Sequence, residues 1–233
     1  MATGRIVRSS NFRNAILRNI ALRKDHPMHA GIAMQAHHLI SEKGVNQSLI
    51  GHWLITVGYD INILPNLALI PSTLQGACHL SVQPHKSGHT IPSDPGEWDD
   101  DSMHPQSYHD LVAKQLRIIK LESDSICYGN DDEALKKITE RMNKLSAKIL
   151  MMIQDAPALM RLSAVADYYQ PGKPGCGGMD SIPSREKGTL VKYTADHICP
   201  VGRNHEMSQG KTQRKENITY KKMPFAYKLK PGH

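Results

Sequence analysis

Ala36-His37-His38-Leu39-Ile40 is the stretch on which the reading of this chain turns. Apart from its two histidines it is apolar and short, which suits a strand end or a turn. Successive side chains on an extended segment point to opposite faces. One imidazole can then hold a cation while its neighbour stays unprotonated and accepts a proton, an economical arrangement for activating water beside a metal. A second pair follows at His85 and His89, with Lys86, Ser87 and Gly88 between them. Histidines at i and i+4 share one helical face and can grip one ion; Gly88 weakens a helix there, and a turn is the alternative. Asn66 lies between the two pairs. Each pair alone is a weak signal, and the combination is a stronger pattern.

Working outward, residues 46–57 place Leu49, Ile50, Trp53, Leu54 and Val57 at helical spacing, and Gly58 stops that helix. Residues 66–71 are apolar with a proline brake and read as a strand. Residues 9–24 read as a basic amphipathic helix capped by Ser9 or Ser10, with Ile16, Leu17, Ile20 and Leu22 on its apolar face. The Pro-, Gly-, Ser- and Asp-rich residues 83–104 read as loop. Helices are expected over 105–122, from Asn130 to about Gln154, and over 155–169. The stripe of Leu135, Ile138, Met142, Leu145, Ile149 and Met152 is a core or partner-helix face. Pro171 to Gly178 marks a boundary, so residues 1–170 are expected as one domain and 171–233 as a basic C-terminal extension or small subdomain.

The chain has 233 residues, enough to bury a sizeable core. Its formal net charge of +7 favours a polyanionic partner. The surplus sits at both ends, around an acidic run at Asp94, Glu97, Asp99, Asp100 and Asp101. Two basic arms suit a phosphate backbone, with Arg13, Arg18, Lys86, Lys211, Arg214 and Lys215 as candidate contacts. Cys78, Cys127, Cys176 and Cys199 are widely separated, which excludes a disulfide framework and leaves reduced thiols as the default. There is no secretory h-region, and no apolar run is long enough for a bilayer, so no membrane insertion is expected. Ten of the 13 histidines precede residue 110. Of these, His26, His29, His52 and His109 read as ordinary surface or satisfied core residues.

Ala36-His37-His38, then Gly58-Tyr59-Asp60-Ile61-Asn62, then Asn66-Leu67-Ala68-Leu69-Ile70-Pro71, then His85 and His89, then Tyr108 and Leu111-Val112, together resemble the AHH family of the HNH/endonuclease VII superfamily. The resemblance covers roughly residues 34–120. It implies an α+β fold, with a small ββα-metal nuclease core inside a mainly α-helical domain and a basic C-terminal extension. It also implies that His37 ligates one divalent ion (zinc, nickel, manganese or magnesium), that His38 is the general base, and that Asn66 is the structural asparagine holding the base loop. His85 and His89 would complete the metal site. An acidic insertion at 90–103 departs from the family pattern, and His104, directly before the Tyr108 helix, rivals His89 as the third ligand.

The implied activity is endonucleolytic cleavage, of DNA first and RNA as the alternative. Members of this family typically are toxin domains of bacterial polymorphic toxin systems. That setting implies a cognate immunity protein, a bacterial cytoplasm while inhibited, and a specialised secretion or delivery partner that carries the protein into the target-cell cytoplasm. Two other readings stand beside it. Cys78, His79, His85 and His89 form a structural zinc cluster in one, which leaves His37-His38 idle. The other is a basic nucleic-acid-binding module, which explains charge but not histidine spacing. Near the end, His197, His205, Cys176 and Cys199 suggest a weaker zinc set, with a solvated loop the simpler reading.

Overall fold

The computed structural model describes residues 4–72, 76–77, 80–85, 106–124, 131–162, 181–183, 190–192 and 227–233. Its centre is a two-stranded antiparallel sheet. Strand β1 (Met34–His38) and strand β2 (Leu67–Pro71) pair with Met34 opposite Pro71, Ala36 opposite Leu69 and His38 opposite Leu67. Every residue of β2 is buried. That is why its sequence is a continuous apolar run rather than an alternation.

The outer edge of β2 is covered by the last residues of the chain. Gly232 N donates to Leu67 O at 2.6 Å, and Leu69 N donates to the main-chain oxygen of His233 at 2.7 Å. Asn19 Nδ2 donates to Gly232 O, and Leu229 N donates to Gln154 Oε1 at 2.8 Å. An edge with unpaired N–H and C=O groups is thereby satisfied within the chain.

Helix α1 (Phe12–Ile20) buries Ile16 and Ile20 and is shorter at both ends than its apolar spacing predicts. Asn11, not a serine, is its N-cap, and it makes no side-chain cap. Ser9 instead accepts from Asn11 N through its hydroxyl and from Phe12 N through its carbonyl. Leu22 lies past the helix end and is exposed.

The single helix expected over 46–57 is two helices, α2 (Glu42–Ser48) and α3 (Gly51–Thr56). Ser41 starts α2 early by accepting from Gly44 N at 3.1 Å. At the break, Ser48 Oγ donates back to Val45 O, and Leu49 takes a left-handed φ of 64°. Such back-bonding competes with helix continuation. Leu49, expected on the buried face, is 88% exposed as a result. Gly58, with φ 81°, ends the α3 turn where its position implies.

Helix α4 (Gln106–Asp124) packs along α2. Gly44 permits the approach, since a Cβ there would lie 2.6 Å from Val112 Cγ1. Helix α5 (Asp131–Asp155) buries Ile138, Met142, Leu145 and Ile149 of the predicted stripe. The helix expected over 155–169 does not form in its described part, 156–162. Pro157 disfavours helical backbone at Ala156. Gln83 organises the non-helical turn instead, donating to Ile153 O and Met160 O and accepting from Leu162 N. A second antiparallel pair joins β3 (Ser181–Pro183) to β4 (Leu190–Lys192).

The architecture is α+β, a two-stranded antiparallel sheet among helices, consistent with a small ββα-type nuclease fold. No helix among the described residues is long and apolar enough to cross a membrane. The acidic run at 94–101 and the boundary at 171–178 lie outside the described residues.

Candidate active site

Strand β1 delivers both histidines into the interior, His37 at 2% and His38 at 7% exposure. Their rings have different partners, as alternation along a strand requires. His37 Nε2 is 2.8 Å from the Tyr108 hydroxyl, and its ring centre is 4.9 Å from that of His85. His38 Nε2 is 3.1 Å from Asn62 Oδ1, and its ring centre is 4.4 Å from that of Phe12.

Proton accounting fixes the His37 tautomer. Burial pushes the Tyr108 phenol well above its usual value of 10.0, so the hydroxyl keeps its hydrogen. That hydrogen is donated to Leu39 O at 2.7 Å. The oxygen must therefore accept from His37 Nε2–H. Nδ1 is then the nitrogen of His37 that carries the lone pair.

Burial lowers the His38 pKa to about 4, with Arg8 adding to the effect. The hydrogen bond to Asn62 and the charges of Glu42 and Asp60 oppose it without reversing it. His38 is consequently neutral at pH 7 and able to accept a proton.

Asn66 is fully buried at the end of a short 3-10 turn (Leu64–Asn66) that leads into β2. Its Oδ1 accepts from Ile40 N at 2.7 Å and from Ser146 Oγ at 2.9 Å. Its Nδ2 donates to Ile40 O at 3.1 Å and Ile61 O at 2.7 Å. Leu39 N donates to the Asn66 carbonyl at 2.9 Å. One side chain thus ties the loop after His38 to residue 61 and to α5.

His85 is fully buried beyond β2, with its N–H bonded to Pro71 O at 2.7 Å. It does not lie in a helix. Arg13 and Arg18 are exposed on α1, and Arg13 Nη1 reaches Met34 O at 3.4 Å. His89, His104, Lys86, Lys211, Arg214 and Lys215 lie outside the described residues, as do Cys78, His79, Cys176, Cys199, His197 and His205. His26 and His109 are buried histidines with polar neighbours, Met28 N and Ser41 Oγ respectively. His52 is exposed, and so is His29, whose Nε2 is 3.1 Å from Ile20 O.

Among the described residues no group of three or more metal-ligating side chains forms. Two imidazoles, His37 and His85, nevertheless stand at a spacing compatible with a shared cation. Rings on one tetrahedral ion, with metal–nitrogen bonds of about 2.1 Å, have centres roughly 5 Å apart. His37 and His85 stand at 4.9 Å. A ligating histidine also donates its second ring N–H to a fixed partner, as His37 does to Tyr108.

Sequence reasoning assigned no role to Tyr108, Phe12, Asp60 or Asn62. Asp60-Ile61-Asn62 carried a usable signal, because two short polar residues after a glycine stop are typical of side-chain-to-backbone turns. Nothing local marks Phe12.

No curated protein and no solved structure matches this chain. One family profile does, described as a nuclease family of the HNH/ENDO VII superfamily with conserved AHH, over residues 21–142. That span is just over half of the 233 residues and runs from before Ala36-His37-His38 into the middle of α5. The chain therefore belongs to the AHH nuclease family.

Proposed function

We propose that the protein is a metal-dependent endonuclease that hydrolyses phosphodiester bonds, with DNA as its main substrate and little sequence preference. The observation that carries this reading is the division of labour on β1. A neutral His38 stands beside His37, whose Nε2 is 2.8 Å from the Tyr108 hydroxyl and whose ring centre is 4.9 Å from that of His85. His37 and His85 hold one divalent ion, with His89 or His104 as the third ligand. When bound, the ion supplies Lewis-acid relief of charge at the scissile phosphate. His38 takes the proton from the attacking water. Asn66 keeps the base in place by clamping Ile40 on both its N–H and its C=O.

Arg13 and Arg18, exposed on α1, together with Lys86, Lys211, Arg214 and Lys215, contact phosphates without reading bases, so binding weakens as salt rises. RNA is the second substrate, and cleavage of DNA and RNA under the same conditions separates the two. The biological setting we propose is that of an antagonistic bacterial toxin, held by an immunity protein in the producing cytoplasm and delivered by a secretion system into the target cytoplasm. Arrested growth on expression, relieved by a co-expressed neighbouring gene product, is the expected behaviour.

The ligand assignment is tested by metal binding to the full chain. His37→Ala and His85→Ala should each lose tight binding of zinc, nickel or manganese, whereas His38→Ala should keep it. Native affinity in both ligand variants would contradict the assignment.

A further inference from the structure

The nuclease reading gives His38 the proton but leaves open what holds its ring in one orientation and one tautomer. We propose that Asn62, locked by Asp60 and by residues 7–9, is the positioning residue of His38 and fixes Nδ1 as the nitrogen that accepts the proton. This inference rests on the nuclease reading for its catalytic consequence and on hydrogen-bond accounting for its geometry.

The side chain of Asn62 uses every donor and acceptor it has. Its Oδ1 accepts from Ser9 N at 2.8 Å and faces His38 Nε2 at 3.1 Å. Its Nδ2 donates to Asp60 Oδ1 at 2.7 Å and to Val7 O at 3.1 Å. Asn62 N donates to the same Asp60 oxygen at 2.8 Å. Only one orientation of the amide satisfies these neighbours. Turned over, its NH2 would face the Ser9 N–H, and its oxygen would face a carboxylate and a carbonyl, none of which can pair. With Oδ1 fixed toward the ring, His38 Nε2 must be the protonated nitrogen, and the lone pair resides on Nδ1.

The clamp draws on a segment that lies outside the family profile. Val7 and Ser9 precede residue 21, where the profile match begins. They are held in place by Gly4 N to Ile55 O, Arg5 N to Tyr59 O, and Ile61 N to Arg5 O. Gly4 permits this approach, because a Cβ there would sit 2.7 Å from Tyr59 O and 2.8 Å from Leu54 O. Phe12 packs its ring against that of His38, with ring centres 4.4 Å apart. The N-terminal segment is thus built into the second layer of the site.

The test joins a spectroscopic and a kinetic measurement on the full chain. Long-range proton–nitrogen spectra at neutral pH should show native His38 as the Nε2–H tautomer, and Asn62→Ala should mix the two tautomers. In cleavage assays Asn62→Ala should lower kcat about 10- to 100-fold, the scale for outer-shell orienting groups, with KM unchanged. The same substitution placed on His38→Ala should have no further effect, because its target is gone. A native Nδ1–H tautomer overturns the proposal without any variant having to fold. So does a native kcat in Asn62→Ala, or an equal loss in both backgrounds. A native protein that cleaves no nucleic acid overturns the nuclease reading and the catalytic role together, while the tautomer spectrum still judges the clamp.

Discussion

Replacing Asn66 by alanine removes four hydrogen bonds from a site with no solvent access. Ser146 can turn its hydroxyl to the preceding helical turn, so its loss is partly recovered. The Ile40 N–H has no such recourse, and the carbonyls of Ile40 and Ile61 each lose a donor. A buried donor left unsatisfied costs about 1–3 kcal/mol, and a carbonyl somewhat less. The sum is about 4 kcal/mol, a large fraction of the stability of a domain this size. For a chain of this length that corresponds to a fall in Tm of about 8–16 °C. Asn66→Asp should be no better than alanine, since it keeps the acceptor for Ile40 N–H but turns a carboxylate toward two carbonyls. Urea denaturation with the slope held common to native and variants gives the difference directly. A loss under about 0.5 kcal/mol, the range of an ordinary surface substitution, would refute the claim that Asn66 organises this loop.

Acidification should weaken the fold through its buried histidines. Burial holds His26, His38 and His109 at about 4 against 6.5 in the unfolded chain. The unfolded chain therefore binds protons first, so stability is complete above pH 6.5 and declines as pH falls toward 4, by about 2 kcal/mol per ring at pH 5. Urea midpoints at pH 7.5 and 5 measure this, and a flat profile would contradict it. Leu49→Gly should raise stability by about 0.5–1 kcal/mol, since an exposed leucine in left-handed backbone carries strain and packs against little; a lower urea midpoint would show that Leu49 packs usefully.

The site was legible where its chemistry is local. His37 and His38 alternate because they lie on a strand, and the apolar run from Leu67 to Pro71 pairs with it in register. Asn66 stood out in the sequence through a resemblance, and its four bonds explain why an asparagine belongs there. Other features depend on partners far along the chain. Leu49 fits a helical face by spacing, but the Ser41 cap and the Ser48 back-bond place the helix one turn earlier and break it there. Asn62 meets Val7 and Ser9 across more than fifty residues, and Asn19 meets Gly232 across more than two hundred. No window of sequence reveals such pairs. Residues 227–233 read as the end of a basic tail, yet Leu229 is buried and the main chain of Gly232 and His233 completes the edge of β2. The shorter α1 follows the same logic, since Ser9 turns the chain before Phe12 instead of capping a longer helix.

The most direct measurement is plasmid cleavage by the purified full chain, with and without chelator, beside His38→Ala. The account predicts cleavage that requires a divalent metal and falls by about two to four orders of magnitude in the variant, the scale of a general base. Cleavage by a folded His38→Ala protein at the native rate would contradict it, as would a folded native protein that cuts neither DNA nor RNA with any divalent metal.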